Sequence, residues 1–501
     1  MNKQPLRYWF WYLPTTLDTY KSDRAGVMMV AKNIYAPLVS TFLDGKPQGM
    51  IAESWEIDSA GKIWHFKIRK GLRFDDGTPI TADIVLKNFR RILWLTRKEG
   101  LLLNSLMPEI SEWEKYDKPL SCIYVENDII VFKFSKRPVN LFEEISMPIY
   151  GIANPKCFDE KGQWKDALCI SSSGQYKIKE ITTSKIVLES RHIFPKVQFA
   201  PDIVEIRART DRNTIEEILK GNADLIIQPS FDLSDEVLNK VCYSELQITS
   251  EPTARMHFMQ LNAYRPPFNN KTLRQSIRDV FLNLLQKDTT FLSETELNPS
   301  FIPKGGVGYI SFKIPRNVKI KKVAEKEVVV LLSPVEEYPI NKGQKIQKIL
   351  EQKILQTLKM HGLKPKVIRC DGGELIERRR RGDFDVLFRF SGVSIDDPYA
   401  ALRMMFMSNI GACIPDPSNT ISRLIEQAES VDDPNIRKQI AEKINKTIYD
   451  EAAIITYTHS SLVYIHTNNV DLSHINLFSD PIEFRAVNFP PGDFKSGDKF
   501  Y

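Results

Sequence analysis

The sequence lacks any apolar run long enough to cross a bilayer. A transmembrane helix needs about 20 consecutive apolar residues, and no stretch of the 501-residue chain provides them. Residues 1–5 lead directly into the strand-like run Leu6–Leu13, without the apolar core of a signal peptide. From the sequence, either a signal segment has been removed or the protein stays in the cytoplasm.

The motifs of the common enzyme classes are also missing. The sequence contains no G-x-S-x-G, no P-loop, no H-E-x-x-H and no glycine-rich dinucleotide turn. The seven histidines are scattered, and no two of them have the helical spacing of metal ligands. His65 is interpreted as structural, and a metal role for His459 and His466 is disfavoured. We therefore predict that the protein is not an enzyme and has no catalytic residue, metal or cofactor.

The cysteines lack the spacing of a metal or redox site. The chain has six of them, and none belongs to a C-x-x-C motif, which argues against zinc and against a redox dithiol. Cys157 and Cys169 flank a polar loop and could close a disulfide in an oxidising compartment. The alternative, which we favour from the sequence, is that both are buried free thiols.

A strong excess of one charge is also absent. Lys and Arg number 69 against 63 Asp and Glu, which gives a formal net charge of +6. The clearest basic cluster, residues 378–381, is a run of arginines without interleaved aromatic residues. A nucleic-acid surface would combine a clustered basic excess with stacking side chains. We interpret the cluster as a solvated helix face and predict no nucleic-acid partner.

A complete folding pattern is present in Asp44–Arg91. Apolar and polar side chains largely alternate in Ile51–Ile57 and again in Ile63–Ile68, and turn residues that include Gly61 separate the two runs. This pattern predicts a β-hairpin with one buried face. Thr81 is then placed to cap a helix that starts directly after it.

The same segment carries a family resemblance. It contains AESWEI and, shortly after, WHFKIRKGLRFDDGTPITADIVLKNF. Together these strings resemble the signature of bacterial extracellular solute-binding proteins of the oligopeptide, dipeptide and nickel class, the receptors of ABC importers. The main departure is Ile84, which takes the place of an acid. The match marks a fold and not a site, because most of its residues are scaffold.

From Glu327 onward the pattern changes to alternating strands and helices. Val328–Leu332 is predicted as a buried strand, Gly343–Met360 as an amphipathic helix and Phe384–Phe390 as a later strand. Two β-α units in sequence predict partly parallel pairing.

Four short segments outside these units are assigned separately. Leu246–Ser250 is predicted as a strand, and Met256–Leu261 as the start of a new region. Ala453–Tyr457 and Val463–His466 are predicted as two further strands.

The resemblance implies an α/β fold of the two-lobed periplasmic-binding-protein type, class II, with mixed sheets, an extra third domain and a hinge between the lobes. Lobe one is expected to comprise residues 1–30, 155–258 and 478–501. The extra domain is expected at residues 31–154, and lobe two at 259–477. A solute would bind in the cleft between the lobes, and closure of the hinge would be a population shift.

Phe384–Tyr399 carries most of the functional argument. It resembles the family strand that ends in G-W-x-x-D-x-x-D-P and pairs with the main chain of a bound peptide. In peptide-binding members an aspartate four positions before the proline holds the ammonium group of the peptide. Here that position is Ser394. The departure favours an N-blocked peptide, a sugar-linked or opine-like solute, or another anion over a peptide with a free amino terminus.

The candidate ligand-binding residues come from this strand and from one loop. On the strand they are Arg389, Ser391, Gly392, Ser394 and Asp396. Arg389 could serve an anionic group, and the alternative is that it points outward to solvent. Asp397 is interpreted as structural. The loop contributes Asp23 and Arg24, because the matching family loop borders the cleft, and a plain surface loop is the alternative.

The resemblance implies a receptor that captures a peptide, or a peptide-like or modified small molecule, for an ABC importer. The expected partners are that ligand and a membrane permease, and a monomer is expected. The expected location is the periplasm, or a lipid-anchored position outside the inner membrane. The alternative function is a cytoplasmic ligand-sensing domain of a bacterial transcription regulator that lacks its DNA-binding part.

Overall fold

The structure, a computed structural model of the 501-residue chain, describes most of the sequence. The described residues are 4–10, 12–21, 25–41, 43, 46–97, 102–138, 140–208, 214–229, 233, 235–332, 342–370, 372–393, 397–407, 414–475 and 482–490. Within these ranges no helix is both long enough and apolar enough to span a membrane.

Helices and strands are numbered separately in chain order. The α-helices are α1 (Ala25–Ile34), α2 (Ala82–Leu95), α3 (Leu102–Leu106), α4 (Leu141–Ile145), α5 (Thr214–Leu219), α6 (Asp235–Cys242), α7 (Lys271–Gln286), α8 (Thr289–Glu294), α9 (Lys342–Met360), α10 (Gly372–Arg380), α11 (Tyr399–Phe406), α12 (Thr420–Ala428) and α13 (Pro434–Glu451). The strands are β1 (Leu6–Phe10), β2 (Val39–Ser40), β3 (Gln48–Gly49), β4 (Ala52–Ile57), β5 (Ile63–Ile68), β6 (Ile123–Glu126), β7 (Ile129–Lys133), β8 (Tyr176–Ile181), β9 (Lys185–Ser190), β10 (Ile203–Ala208), β11 (Leu225–Pro229), β12 (Leu246–Leu261), β13 (Lys326–Leu332), β14 (Leu363–Arg369), β15 (Val386–Val393) and β16 (Ile454–Thr467).

The first of two compact units consists of Met1–Gln228, Val237–Ser250 and Val463–Tyr501. Its main sheet has the strand order β11-β1-β10-β9-β8. β1 runs parallel to β10 and β11, whereas β9 is antiparallel to β10 and β8. Buried and half-buried side chains alternate along β1, as expected for a strand with one face in the core.

A smaller sheet in this unit, of order β4-β5-β7-β6, contains the predicted hairpin. Gly61 in its turn has a φ of +68°, a conformation that favours glycine. α2 begins as predicted, because the Thr81 side chain accepts a hydrogen bond of 3.4 Å from the amide of Ile84. The helix packs on the sheet through Phe89, whose ring centroid lies 5.0 Å from that of Phe132.

The predicted pair of free thiols was wrong, because Cys157 and Cys169 form a disulfide. The loop between them reverses direction, and Phe158 and Trp164 form an antiparallel bridge within it. This reversal brings the Cα atoms of the two cysteines to 5.6 Å, inside the usual range for a disulfide. The sequence shows the two cysteines but not the turn that brings them together.

The second unit consists of Pro229–Glu236 and Glu251–Leu462. Its sheet has the order β14-β13-β15-β12-β16. β13 is parallel to both β14 and β15, which confirms the predicted parallel pairing, and β12 is antiparallel to β15. The amphipathic helix α9 was also predicted correctly. Its inward stripe joins the core of this unit through Ile346, Leu350, Ile354 and Leu358.

Two of the places where the chain passes between the units, 250/251 and 462/463, lie inside single strands. These strands are β12 and β16, and the assignment of four separate segments was therefore wrong. Pro252 cannot donate a hydrogen bond within a sheet, and the run Thr458–Ser461 is polar, so each strand contains a local signal for a break that tertiary pairing overrides. The division into lobe one, an extra domain and lobe two stays a prediction.

The arginine cluster at residues 378–381 is solvated only in part. Arg378 pairs with Glu374 at 2.9 Å, and Arg381 is exposed. Arg379, in contrast, is only 3% exposed. It lies one helical turn after Leu375, which packs on an apolar cluster, and residues four apart share a helix face. The prediction of a fully solvated face was therefore wrong for Arg379.

Candidate functional site

β15 is the centre of the candidate site, and the core of the second unit fixes its first half. Val386 and Leu387 are fully buried in two different apolar clusters. Just before them, the carboxylate of Asp385 accepts hydrogen bonds from Arg265 Nε at 2.9 Å and from the amide of Val329 at 2.8 Å. The strand therefore enters the site in a defined position.

Among the described residues, the second half of β15 has a strand partner on one edge only. β12 pairs with it along its whole length, from Leu261 opposite Val386 to Ala254 opposite Val393. On the other edge, β13 pairs with β15 only at Val386 and Leu387. In the part of the chain that the structure describes, no strand continues this edge beyond Leu387.

Strand geometry assigns the main-chain groups that face this open edge. Leu261 lies opposite Val386 and turns its amide away from β15, where it donates a hydrogen bond of 2.8 Å to the carbonyl of Ala453. Successive residues of a strand turn their main-chain groups to opposite edges. Phe390 and Gly392 therefore turn their amides and carbonyls away from β12, where an extended ligand can pair with them.

The structure brings three of the predicted site residues together on this half-strand, namely Arg389, Ser391 and Gly392. Arg389 and Ser391 are half-buried, and Gly392 is exposed. The remaining predictions fall outside the described residues, and they are Asp23, Arg24, Ser394 and Asp396.

Within the described residues, Arg389 forms no ion pair with a carboxylate. Its side chain lies on the sheet face that also carries Phe258, the residue opposite it in the strand register. Its Nη1 atom is buried and has no hydrogen-bond partner. A cation that loses water without gaining a partner costs free energy. The two sequence-based interpretations of Arg389, a partner for an anionic group and an arginine that points outward to solvent, stay predictions.

A group that sequence reasoning missed lies on the other face of the same strands. Phe390 is 54% exposed. The guanidinium of Arg255 lies over its ring, with Cζ 5.2 Å from the centroid, at a distance typical of a cation–π contact. The ring of His257 lies 5.9 Å away on the same face. The sequence signals only alternation in 255–261, and the register that sets these side chains around Phe390 requires the fold.

Two imidazoles in this region are held neutral. Nε2 of His257 and Oγ of Ser460 share a hydrogen bond of 2.7 Å. Desolvation, with smaller contributions from the nearby His459 and Arg255, lowers the pKa of His257 to about 3. Desolvation also lowers the pKa of His459 to about 4, against an opposing contribution from its contact with the carbonyl of Phe301. At neutral pH these histidines add no positive charge to the site.

Asp397 has contacts that suit the structural role predicted for it. Its carboxylate accepts a hydrogen bond of 2.8 Å from the amide of Tyr399, at the start of α11. It also forms an ion pair of 2.8 Å with Arg437, and the guanidinium of Arg437 lies over the ring of Tyr399. These contacts fix the position of α11 directly after the candidate strand.

In the first unit, the segment that precedes the candidate loop is anchored by a buried ion pair. Asp18 accepts a hydrogen bond of 2.6 Å from Arg91 Nη2. Arg91 is 1% exposed, and its Nε also donates to the carbonyl of Gly162 at 2.7 Å. Asp18 is therefore part of the scaffold, next to a predicted loop whose role stays a prediction.

Comparison with known proteins agrees with this architecture. A family model described as bacterial extracellular solute-binding proteins, family 5 Middle, matches residues 46–279. The periplasmic oligopeptide-binding protein OppA of Escherichia coli, strain K12, is 24% identical over 291 residues, which cover 54% of this chain and 52% of that protein. OppA of Salmonella typhimurium, strain LT2, is 21% identical over 476 residues, which cover 89% of this chain and 86% of that protein.

A solved structure extends the likeness to nearly the whole fold. It is the ABC transporter-associated periplasmic binding protein DppA from Helicobacter pylori, in complex with the peptide STSA, with a TM-score of 0.77. The two chains are 16% identical, and the match covers 97% of this chain and 98% of the other. This chain resembles the bacterial extracellular solute-binding proteins of family 5 through the model that matches residues 46–279.

The likeness to these proteins confirms the predicted fold class, which is the two-lobed class II binding-protein fold with an extra domain. It also confirms the prediction of a solute-binding receptor and gives no support to the alternative of a transcription regulator. The relatives are binding proteins named as periplasmic.

Proposed function

We propose that this protein is the solute receptor of an ABC importer and that it binds a peptide, or a peptide-like or modified small molecule, along the open edge of β15. The open edge of β15 is the observation that supports the proposal. Beyond Leu387 the strand keeps β12 on one side, while the main-chain groups of Phe390 and Gly392 face the other. An extended ligand would add itself as a further strand.

The proposed ligand-binding residues begin with those on this strand. Gly392 contributes its main chain, and Arg389 and Ser391 contribute side chains on one sheet face. The other proposed contacts are those predicted from the sequence, namely Asp23, Arg24, Ser394 and Asp396. Phe390 joins them because more than half of its side chain is exposed beside the edge.

The remaining parts of the proposal concern the setting of the receptor. The protein works in the periplasm, or lipid-anchored outside the inner membrane, as a monomer that docks on a membrane permease. The disulfide between Cys157 and Cys169 supports an oxidising compartment. The protein binds its solute without chemical change and has no nucleic-acid partner.

Native mass spectrometry of the purified protein tests the proposal, followed by a thermal-shift panel of short peptides, sugars and metal chelates. A co-purified peptide-like mass, and stabilisation by members of the peptide set, are expected. A ligand at about 100 times its Kd adds about 2.7 kcal/mol to the free energy of unfolding. Stabilisation by sugars or chelates alone would overturn the peptide-like ligand class.

A further inference from the structure

A second basic segment lies in the second unit, between α8 and β13. Residues 297–324 contain no Asp or Glu. Residues 313–323 of this stretch, here called the basic strap, form neither a helix nor a strand. The basic residues of the strap are Lys313, Arg316, Lys319, Lys321 and Lys322. Positive charge is therefore concentrated here, although the chain as a whole is nearly balanced.

Hydrogen bonds to its main chain hold the strap along α7. Asn283 Nδ2 donates to the carbonyl of Pro315 at 2.8 Å. Ser276 Oγ donates to the carbonyl of Lys319 at 3.0 Å and accepts from the amide of Lys321 at 3.0 Å. Since seven residues of an α-helix span about two turns and roughly 10 Å, the strap runs beside α7 in the opposite direction. It therefore has a defined position on the second unit.

The strap turns apolar side chains inward and basic side chains outward. Ile314 and Val323 pack on the apolar core of the second unit. Ile320 is 40% exposed. The exposed cations of the strap are Lys313, Arg316, Lys319 and Lys322.

These four cations form no ion pair among the described residues. The charges directly after the strap differ, because Glu325 pairs with Lys364, and Glu327 pairs with Lys366 at 3.4 Å. One unpaired surface cation is ordinary, since a surface ion pair contributes little to stability. Four of them on one anchored segment create a local positive potential that attracts an anionic partner.

The side chains of the strap favour one kind of anionic partner. A surface for single-stranded nucleic acid would add aromatic side chains that stack on bases. The two aromatic residues before the strap are engaged elsewhere: Phe312 stacks on Tyr449 with ring centroids 4.1 Å apart, and Tyr309 packs on an apolar cluster. The strap instead exposes the aliphatic Ile320 among its lysines. Basic and apolar side chains together are typical of segments that bind an anionic bilayer surface.

We propose that the basic strap is a peripheral membrane contact. Its four exposed cations bind the headgroups of anionic phospholipids, and Ile320 enters the boundary between headgroups and acyl chains. This contact goes beyond the proposed function, because it does not depend on the solute or on β15. It would keep the receptor beside the bilayer that contains the permease.

The test is co-sedimentation of the full chain with phospholipid vesicles. One set consists of phosphatidylcholine alone, and the other adds phosphatidylglycerol as the anionic lipid. The wild type is expected to bind the anionic set and to leave the neutral set unbound. A rise from about 0.1 M to about 1 M NaCl should release it, because the Debye length falls from about 10 Å to about 3 Å.

Variants assign the binding to the strap. Lys319→Gln is expected to lower the partition coefficient about fivefold, since each basic residue near an anionic surface contributes about 1 kcal/mol. Ile320→Ser should lower it severalfold at unchanged net charge. The strap variant, in which all four exposed cations are replaced by Gln, should show no measurable binding.

A matched control removes the same charge elsewhere. It replaces four exposed lysines of the first unit by Gln, namely Lys62, Lys115, Lys118 and Lys161. The control and the strap variant both lower the formal net charge from +6 by four, to +2. The control is expected to bind anionic vesicles nearly as the wild type does, because its strap is intact.

The outcomes separate this inference from the proposed function. Equal loss of binding in the strap variant and the control, or no binding of the wild type to anionic vesicles, would overturn the inference. Binding of a single-stranded oligonucleotide without binding of vesicles would also overturn it. The thermal-shift panel of solutes is run on the same wild-type samples, so the receptor function and the membrane contact can fail independently.

Discussion

The segment Asp44–Arg91 and the strand β15 use their polar groups in opposite ways. In the first, turns, caps and ion pairs are satisfied by the protein itself, as Arg91 shows in its contact with Asp18. In the second, Arg389 has a buried nitrogen without a partner, and the main chain beyond Leu387 has one edge unpaired within the described residues.

This difference separates scaffold from site within one chain. A scaffold segment minimises its free energy when each buried polar group has a partner. A binding strand leaves polar main-chain and side-chain groups without a protein partner, and the ligand supplies their hydrogen bonds. The family signature in Asp44–Arg91 therefore identifies the fold, whereas the departures in β15 carry the information about the ligand.

The largest expected effect comes from the arginine of the scaffold. Arg91→Gln should lower the free energy of unfolding by about 3–5 kcal/mol, because it leaves the buried carboxylate of Asp18 without its cation. Arg389→Gln should change the same quantity by less than about 1 kcal/mol, since no ion pair is lost. Urea unfolding followed by circular dichroism measures both values.

A similar loss in the two variants would break the comparison, because it would show that Arg389 has a structural partner of its own. The conservative change Arg389→Lys serves as a control for the volume of the side chain.

An intermediate effect is expected from pH at the histidine beside Phe390. The pKa of His257 is about 3 in the folded protein, against 6.5 for an ordinary histidine. Between these two pKa values the unfolded chain binds more protons than the folded protein, so a falling pH favours unfolding. The contribution of neutral His257 to stability is therefore complete above the unfolded pKa and falls as the pH falls toward the folded pKa. The expected slope approaches about 1.4 kcal/mol per pH unit.

His257→Gln removes this titration and keeps a group that can bond Ser460. Urea unfolding at several pH values between the two pKa values should therefore give a shallower slope for the variant than for the wild type. Parallel slopes would show that His257 is not a desolvated, neutral imidazole in the folded protein.

The smallest expected effect concerns the cap of α2. Thr81→Ala should lower the free energy of unfolding by about 1 kcal/mol, because the amide of Ile84 loses its acceptor. Thr81→Ser keeps the hydroxyl and should remain close to the wild type. Unchanged stability of the alanine variant in chemical denaturation would show that the cap contributes nothing.

Local signals explain which parts of the fold could be predicted from the sequence. The hairpin β4–β5, the capped helix α2 and the amphipathic helix α9 depend on neighbours in sequence, and the prediction was right for each. The long strands β12 and β16 were divided wrongly, because their continuity depends on pairing with distant strands. The disulfide and the burial of Arg379 were missed for the same kind of reason.

The candidate site shows the same limit. The family resemblance located Arg389, Ser391 and Gly392 on one strand. It could not show that the pairing of β13 with β15 ends at Leu387, which leaves this edge without a strand among the described residues, because strand register is a tertiary property. It also could not show that Arg255 and His257 flank Phe390.

Amide hydrogen exchange at single-residue resolution tests the central claim most directly. The amides of Phe390 and Gly392 are compared in the free protein and with the tightest ligand from the peptide panel. The account predicts that ligand binding slows exchange at both amides, while the amides of α2 are unchanged. A ligand that binds and leaves both amides exchanging at the rate of the free protein would contradict strand addition at β15.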